Sequence, residues 1–260
     1  MRVALIGCGA MGSAMAKRLC LVHEVVLFDR DRQKAAHLAK ELGVNFVKEI
    51  GAGLVATDVI LLAIKPKDVE DLALMLAPLT TPSTLIVSML AGMKIEVLNQ
   101  LFPKQQLLRI MPNLAVLYEK GVIGIVETPV MTPEYRKKIE NLFQGMGLLV
   151  FLHEDKIDAL TALTGSSPAF VFYLIEAMMD GGVALGFPPD QVFALVLQVF
   201  EGAIALLKEG KERPAVLQAK VASPGGTTME GLKVLESRQV HDALVDALHA
   251  SFAKARAILE

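Results

Sequence analysis

The sequence predicts an α/β protein: a doubly wound parallel sheet with helices on both faces over residues 1–152, then an all-helical domain over residues 153–260. Three observations carry this reading. Through the first half, short β-branched and aliphatic runs alternate with helix-period segments, and the runs are continuously apolar, as strands buried on both faces must be. The first run feeds directly into a glycine-rich turn that opens a helix. After His153-Glu154-Asp155 the β-branched runs stop and helical rhythm takes over, with no glycine/serine linker, internal repeat or low-complexity segment at the change.

The strands are expected at residues 3–7 (VALIG), 25–29 (VVLFD), 59–64 (VILLAI) and 84–89 (TLIVSM), with later ones near 107–110, 122–126 and 148–152. Helix-period segments at 10–21, 31–42, 67–76 and 95–101 fill the gaps between the early strands. In the second half, helices are expected over 157–163, 168–185, 189–208, 228–236 and 241–259. Ser167-Pro168 reads as a helix start, a serine cap followed by proline in the first turn. Gly210 reads as a helix terminator, and Thr227-x-x-Glu230 fits a capping box. The segment 169–186 is apolar nearly all round, so it should be enclosed by neighbours, at the centre of an intertwined subunit interface.

Composition narrows the function classes. The chain has 260 residues, enough for a core without disulfide or metal staples. Hydrophobic residues make up 53% and mean hydropathy is +0.48, yet no run reaches the roughly 18 uninterrupted apolar residues of a membrane span. The apolar surplus, concentrated after Ala159, is therefore expected between subunits. A net charge of −2 gives no reason to invoke nucleic acid or an acidic membrane. Cys8 and Cys20 are too few for a disulfide framework and wrongly placed for zinc, so they read as buried reduced thiols. MRVALIGCGAMG lacks the long apolar region of a signal peptide, so cytoplasmic residence is the expectation.

Gly7-x-Gly9-x-x-Gly12 follows a strand and opens a helix, the dinucleotide-binding fingerprint of a Rossmann-type sheet. Its first glycine makes the tight turn, its second admits the pyrophosphate, and its third allows close helix packing. Ile6, Cys8, Ala10 and Met11 complete the loop as cofactor neighbours. Asp29, at the end of the second strand, sits where a carboxylate binds the ribose hydroxyls of NAD, while Arg30 and Arg32 follow at once and suit the 2′-phosphate of NADP. Ala63-Ile64-Lys65-Pro66 and Met89-Leu90-Ala91-Gly92 end later strands at the carboxyl edge, where open α/β sheets bind ligands. Lys65 is placed to pair with a phosphate.

Two further stretches are distinctive. PAVLQAKVASPGGTTMEGLKVLE (214–236) sets two glycines and two threonines at a helix start, where backbone amides and the helix dipole favour a small anion. ALTGSSPAFVFYLIEAM (162–178) precedes it. Together, in this order, they resemble the Δ1-pyrroline-5-carboxylate reductase family, and the resemblance spans essentially the whole chain. It implies reduction of a cyclic imine to proline, with NADPH usually preferred and NADH often accepted. By the same resemblance Gly226, Thr227 and Thr228 hold the substrate carboxylate, Thr228 also bonds the ring nitrogen, Gly225 belongs to the same substrate-binding loop, and Ser223 orients it. Glu212 matches an acidic residue near the substrate amine. Ser166 and Ser167 belong beside the nicotinamide, in a turn whose helix N-terminus faces the site, with Asn113 nearby. The reaction asks for orientation and electrostatics rather than a nucleophile or metal, and the chain has no His-x-x-x-His or cysteine cluster and no triad order.

The resemblance further implies a homodimer with swapped helices, assembled as five dimers into a decamer. Two departures stand out: Leu114-Ala115 replaces Thr-Pro in the family's Met-Pro-Asn-Thr-Pro segment, and Lys220 enters the substrate signature. Two other readings share the N-terminal loop. A β-hydroxyacid dehydrogenase would carry a glycine-rich substrate motif at the start of the second half, which is missing. A non-catalytic dinucleotide-binding regulator would be expected to lack the SPGGTT loop, which is present.

Overall fold

The computed structural model describes residues 1–257. The last positions of the helix expected over 241–259 lie outside the described residues. The first half alternates β1 (Arg2–Ile6), α1 (Ala10–Leu19), β2 (Glu24–Phe28), α2 (Arg32–Leu42), β3 (Asn45–Phe46), β4 (Val59–Leu62), α3 (Val69–Leu76), β5 (Leu85–Ser88) and α4 (Ile95–Leu101). It continues with β6 (Gln106–Pro112), β7 (Gly121–Val126), α5 (Pro133–Leu142) and β8 (Gly147–Leu152). The helical half comprises α6 (Ile157–Leu160), a π-helical stretch (Thr161–Ser166), α7 (Ser167–Ala184), α8 (Pro189–Gly210), α9 (Pro214–Val221), α10 (Thr227–Ser237) and α11 (Val240–Arg256).

The strands form one sheet in the order β3-β2-β1-β4-β5-β6-β7-β8. The expected apolar runs became strands because their residues are buried on both faces: Val3, Leu5, Val59, Leu61, Leu85 and Val87 pack on one side with α1, α2 and α5. Ala4, Ile6, Ile60, Leu62 and Ile86 pack on the other with α3 and α4. From β3 to β6 neighbouring strands are parallel. β7 runs antiparallel to β6, and β8 is parallel to β7. β8 therefore runs opposite to the parallel strands, and through Val126 and Arg109 its last residue, Leu152, lies level with Ser88 at the end of β5. The helical chain that follows runs back along the sheet, and Thr164 reaches Asn113, just past the carboxyl end of β6. Its beginning is tied down by Glu154, whose Oε1 accepts from the fully buried Arg109 Nη1 (2.9 Å) and from Ile95 N (2.7 Å).

By contacts the chain divides into two compact units, one of Met1–Gly165 with the residues from Phe252 onward, the other Ser166–Ser251. In the second unit α7 packs on α8, but no α7 residue is buried within the single chain. Phe172, Tyr173, Phe193 and Val199 are 67%, 72%, 51% and 56% exposed. Patches of this kind mark an interaction surface. Two helical stretches, Glu154–Ala184 and Pro189–Gly210, are long and apolar enough by composition to cross a bilayer. Both carry acidic residues (Glu176, Asp180, Glu201) at positions a span would disfavour.

Several local expectations are corrected. Ser167-Pro168 does not start a helix: the chain is already helical from Ile157, passes through the π stretch, and continues as α7. Ser166 at the junction has αR backbone and no side-chain cap. There is consequently no turn at Gly165–Pro168 and no free helix N-terminus there. Pro168 lacks the N–H that would pair the Thr164 carbonyl one turn back, and widening to π geometry accommodates it. The Thr227–Glu230 capping box does not form. Gly226 is the N-cap, Thr227 is already helical, and Glu230 pairs with Lys233 at 2.7 Å. Gly210 closes α8, but Lys211 takes the left-handed conformation (φ 52°).

Candidate functional site

The glycine loop is built by close approach of two strand ends. Gly7, at φ +105°, lies so near the Ala63 carbonyl that a Cβ there would collide with it, and a Cβ on Gly12 would strike the Gly7 carbonyl. A Cβ on Gly9 would meet nothing within 4 Å. The first and third glycines are thus demanded by packing, whereas the second faces open space. That space is a cavity of about 690 Å³ at the carboxyl edge, bounded by Gly7, Gly9, Asp29, Ile64 and Lys65. A dinucleotide fits this cradle: the loop backbone is bare at Gly9, and α1 presents its N-terminus with no side-chain cap.

Asp29 is rigidly placed. Its Oδ2 accepts from Cys8 N (2.6 Å) and its Oδ1 from Asp31 N (2.8 Å). Asp31 in turn caps α2 by accepting from Gln33 N and Lys34 N. Arg30 lines the cavity already engaged: its Nη2 pairs with Asp68 Oδ1 at 2.8 Å. Burial, and then the Asp29 charge, push the Cys8 thiol up to about 12, so it is protonated and inert at neutral pH. Cys8 and Cys20 are both free, the first buried and the second partly so. Ile6 and Leu90 are buried under the loops, Met11 and Met89 pack partly buried against the core, and Ala10 opens α1. Lys65 precedes the 3-10 turn Pro66–Asp68. Ala91 and Gly92 (φ +74°) form the turn after Leu90.

Asn113 is 8% exposed and its amide is committed to structure. Oδ1 accepts from Val122 N (3.0 Å), and Nδ2 donates to the Thr164 carbonyl (2.9 Å). That carbonyl lies four residues before Pro168, which has no N–H to donate to it. Asn113 thereby pins the π stretch that ends in Ser166 and hands over to Ser167. Leu114, the departure from the family segment, opens a 3-10 turn and is 55% exposed.

In the second unit, Gly225 (φ +74°) turns the chain between α9 and α10, and Gly226 N donates to Ser223 O at 3.0 Å. A Cβ on Gly226 would press on Ser223 Oγ at 2.6 Å, so Ser223 and Gly226 fix each other. Gly226 has no side chain with which to cap α10. The amides of Thr227 and Thr228 therefore lie in the first turn of an 11-residue helix, whose leading N–H groups have no intrahelical acceptor. Glu212 Oε1 accepts from Lys220 Nζ (2.6 Å), while its Oε2 is buried without a partner among the described residues. Lys220, conspicuous in sequence, is thus the counter-ion of Glu212.

Sequence reasoning missed Asp68 and Thr164. The first is a loop-to-loop ion pair with no sequence mark; the second was signalled by Pro168 four residues on. Among the described residues no group of three or more metal-ligating side chains occurs.

The chain is similar to known proteins over both of its halves. Residues 154–258 match the family model for pyrroline-5-carboxylate reductase dimerisation, and residues 2–92 match NADP oxidoreductase, coenzyme F420-dependent. The chain is 36% identical to the pyrroline-5-carboxylate reductase of Aquifex aeolicus, covering 98% of this chain and 97% of that protein. It is 31% identical to the Synechocystis protein of the same name, covering 98% and 97%. The 1-pyrroline-5-carboxylate reductase structure from Streptococcus pyogenes superposes with a TM-score of 0.88 at 28% identity, covering 99% of each chain.

Proposed function

The chain belongs to the pyrroline-5-carboxylate reductase family, and from that premise we propose how its residues carry out the reaction. It is an NAD(P)H-dependent reductase that converts Δ1-pyrroline-5-carboxylate to L-proline, the last step of proline biosynthesis, with NADP(H) as its cofactor. The bound nicotinamide supplies the hydride for the imine carbon.

The protein's part is binding, orientation and charge. Gly7, Gly9 and Gly12 shape the backbone against the pyrophosphate at the start of α1, flanked by Ile6, Cys8, Ala10 and Met11. Asp29 and Arg30 face the adenine ribose. Ala63, Ile64, Lys65 and Pro66, with Met89, Leu90 and Ala91, line the carboxyl edge. The amides of Gly226, Thr227 and Thr228 hold the substrate carboxylate at the positive end of α10, with Gly225 and Ser223 setting the turn. Thr228 Oγ1 bonds the ring nitrogen, and Glu212 stabilises its positive charge. Ser166 and Ser167 orient the nicotinamide end, and Asn113 acts through them by holding the π stretch.

The single observation that supports this most is the uncapped start of α10, with glycine where a side chain would otherwise satisfy the amides. The test is loss of reduced-nicotinamide absorbance on adding Δ1-pyrroline-5-carboxylate, with proline identified as product. Tight coenzyme binding without imine turnover would sink the substrate assignment.

The dimerisation family match and the exposed apolar faces of α7 and α8 support a homo-oligomer. We assign it as a dimer with swapped helices, five of which form a decamer, in the cytoplasm. Light scattering near the 28.0 kDa monomer mass would overturn the assembly. The corresponding domain division is residues 1–152 for the cofactor and 153–260 for substrate and dimerisation.

A further inference from the structure

We propose that Asp68 is a specificity-determining residue. By holding Arg30 in an ion pair it keeps that guanidinium off the 2′-phosphate of NADPH, so that NADH is used alongside NADPH. This rests on the reductase reading, since it refines which coenzyme that reaction takes.

Four observations carry it. Asp68 belongs to the short turn after β4, and its backbone N donates to Lys65 O at 3.0 Å, so its position is set by the fold. Its side chain is 25% exposed, whereas Arg30 is 80% exposed and reaches across to it at 2.8 Å. Arg30 is thus a mobile side chain captured by a fixed one. Asp29 needs no ligand to be in place, because Cys8 N and Asp31 N already hold its two oxygens. Each oxygen retains a lone pair for a ribose hydroxyl. Finally, the carboxylates Asp29, Asp31, Asp68 and Asp71 outnumber the cations Arg30, Lys34 and Lys65 around the cavity.

A 2′-phosphate brings a charge of about −1.5 to −2 into that surrounding. To be gripped it must win Arg30 from Asp68 while resisting Asp29. An unphosphorylated ribose meets neither obstacle. The margin by which NADPH is preferred is therefore set partly by a residue on a different loop from the one that reads the ribose.

The experiment is equilibrium binding of NADPH and of NADH, read by nicotinamide fluorescence without any imine present. It compares the unmodified protein, Asp68→Asn, Arg30→Ala and the double variant. Asp68→Asn is expected to tighten NADPH about fivefold, the equivalent of an exposed ion pair at the upper end of its usual worth, and to leave NADH unchanged. In the Arg30→Ala background the same change should gain little. Equal tightening with and without Arg30 would show simple charge repulsion and overturn the capture of Arg30. No change in NADPH affinity would overturn the proposal altogether. Because no imine is used, a failed reductase assay leaves this result standing, and the reverse also holds.

Discussion

Replacing Asn113 by alanine strips partners from two backbone groups at once. Val122 N loses its acceptor, and the Thr164 carbonyl loses the Asn113 amide, at 3.0 and 2.9 Å respectively. Pro168 cannot take over the second, having no N–H. A buried orphan costs about 1–3 kcal/mol. Both groups sit in half-buried residues, so the lower part of that range applies to each, and the sum is about 2–3 kcal/mol. Urea unfolding at one fixed protein concentration, needed because assembly adds to stability, measures it. The sharper test adds Pro168→Ala, which returns an amide to the helix one turn after Thr164. In the Asn113→Ala background this second change should recover about 1 kcal/mol, the worth of one hydrogen bond. In the unmodified protein it should recover nothing. A loss below about 0.5 kcal/mol for Asn113→Ala, the usual size of a surface effect, would refute the reasoning. So would identical effects of Pro168→Ala in the two backgrounds.

Gly12→Ala should destabilise by about 3 kcal/mol or prevent folding, because backbone must move. Gly9→Ala should melt normally and lose coenzyme affinity; equal melting of the two variants would contradict the cradle geometry. Thr228→Ala should lower kcat/KM about tenfold to a hundredfold, the worth of a hydrogen bond to a charged group, with NADPH affinity retained; parallel loss of both would make Thr228 structural. Burial holds Cys8 at about 12 and Tyr135 also at about 12, against ordinary values of 9.0 and 10.0. The unfolded chain therefore releases these protons first. Stability is full below pH 9.0, declines as pH rises above it and is lost toward about 12. Cys8→Ala should flatten the decline in alkaline urea titrations, and an unchanged slope would exclude the thiol as its source.

The strands were legible because each apolar run is buried on both faces, a condition that writes itself into sequence as uninterrupted Val, Ile and Leu. β3 was not, since two edge residues, one of them Asn45, leave no such run. α5 was missed because its face to the core is only Ile139 and Leu142 amid charge, although Thr132-Pro133 announced its cap. α9 was absorbed into the substrate signature around it. The glycine loop was readable because Gly7 and Gly12 answer steric demands that no other residue meets. Pro168 misled for the opposite reason. Proline in the first turn and proline inside a π-widened helix look alike locally, and only the distant amide of Asn113 distinguishes them. The same limit hid Asp68, whose partner is brought near by the parallel pairing of β1 with β2 and β4.

The bare faces of α7 and α8 bear on how the protein is made. Phe172 and Tyr173 leave the ribosome largely uncovered by the described residues of their own chain. A new chain is therefore in a race between meeting its counterpart and meeting any other sticky surface. The nearest counterparts are those being translated from the same messenger, which favours assembly at the site of synthesis. Expression at low temperature, where translation slows relative to encounter, should then raise the soluble yield.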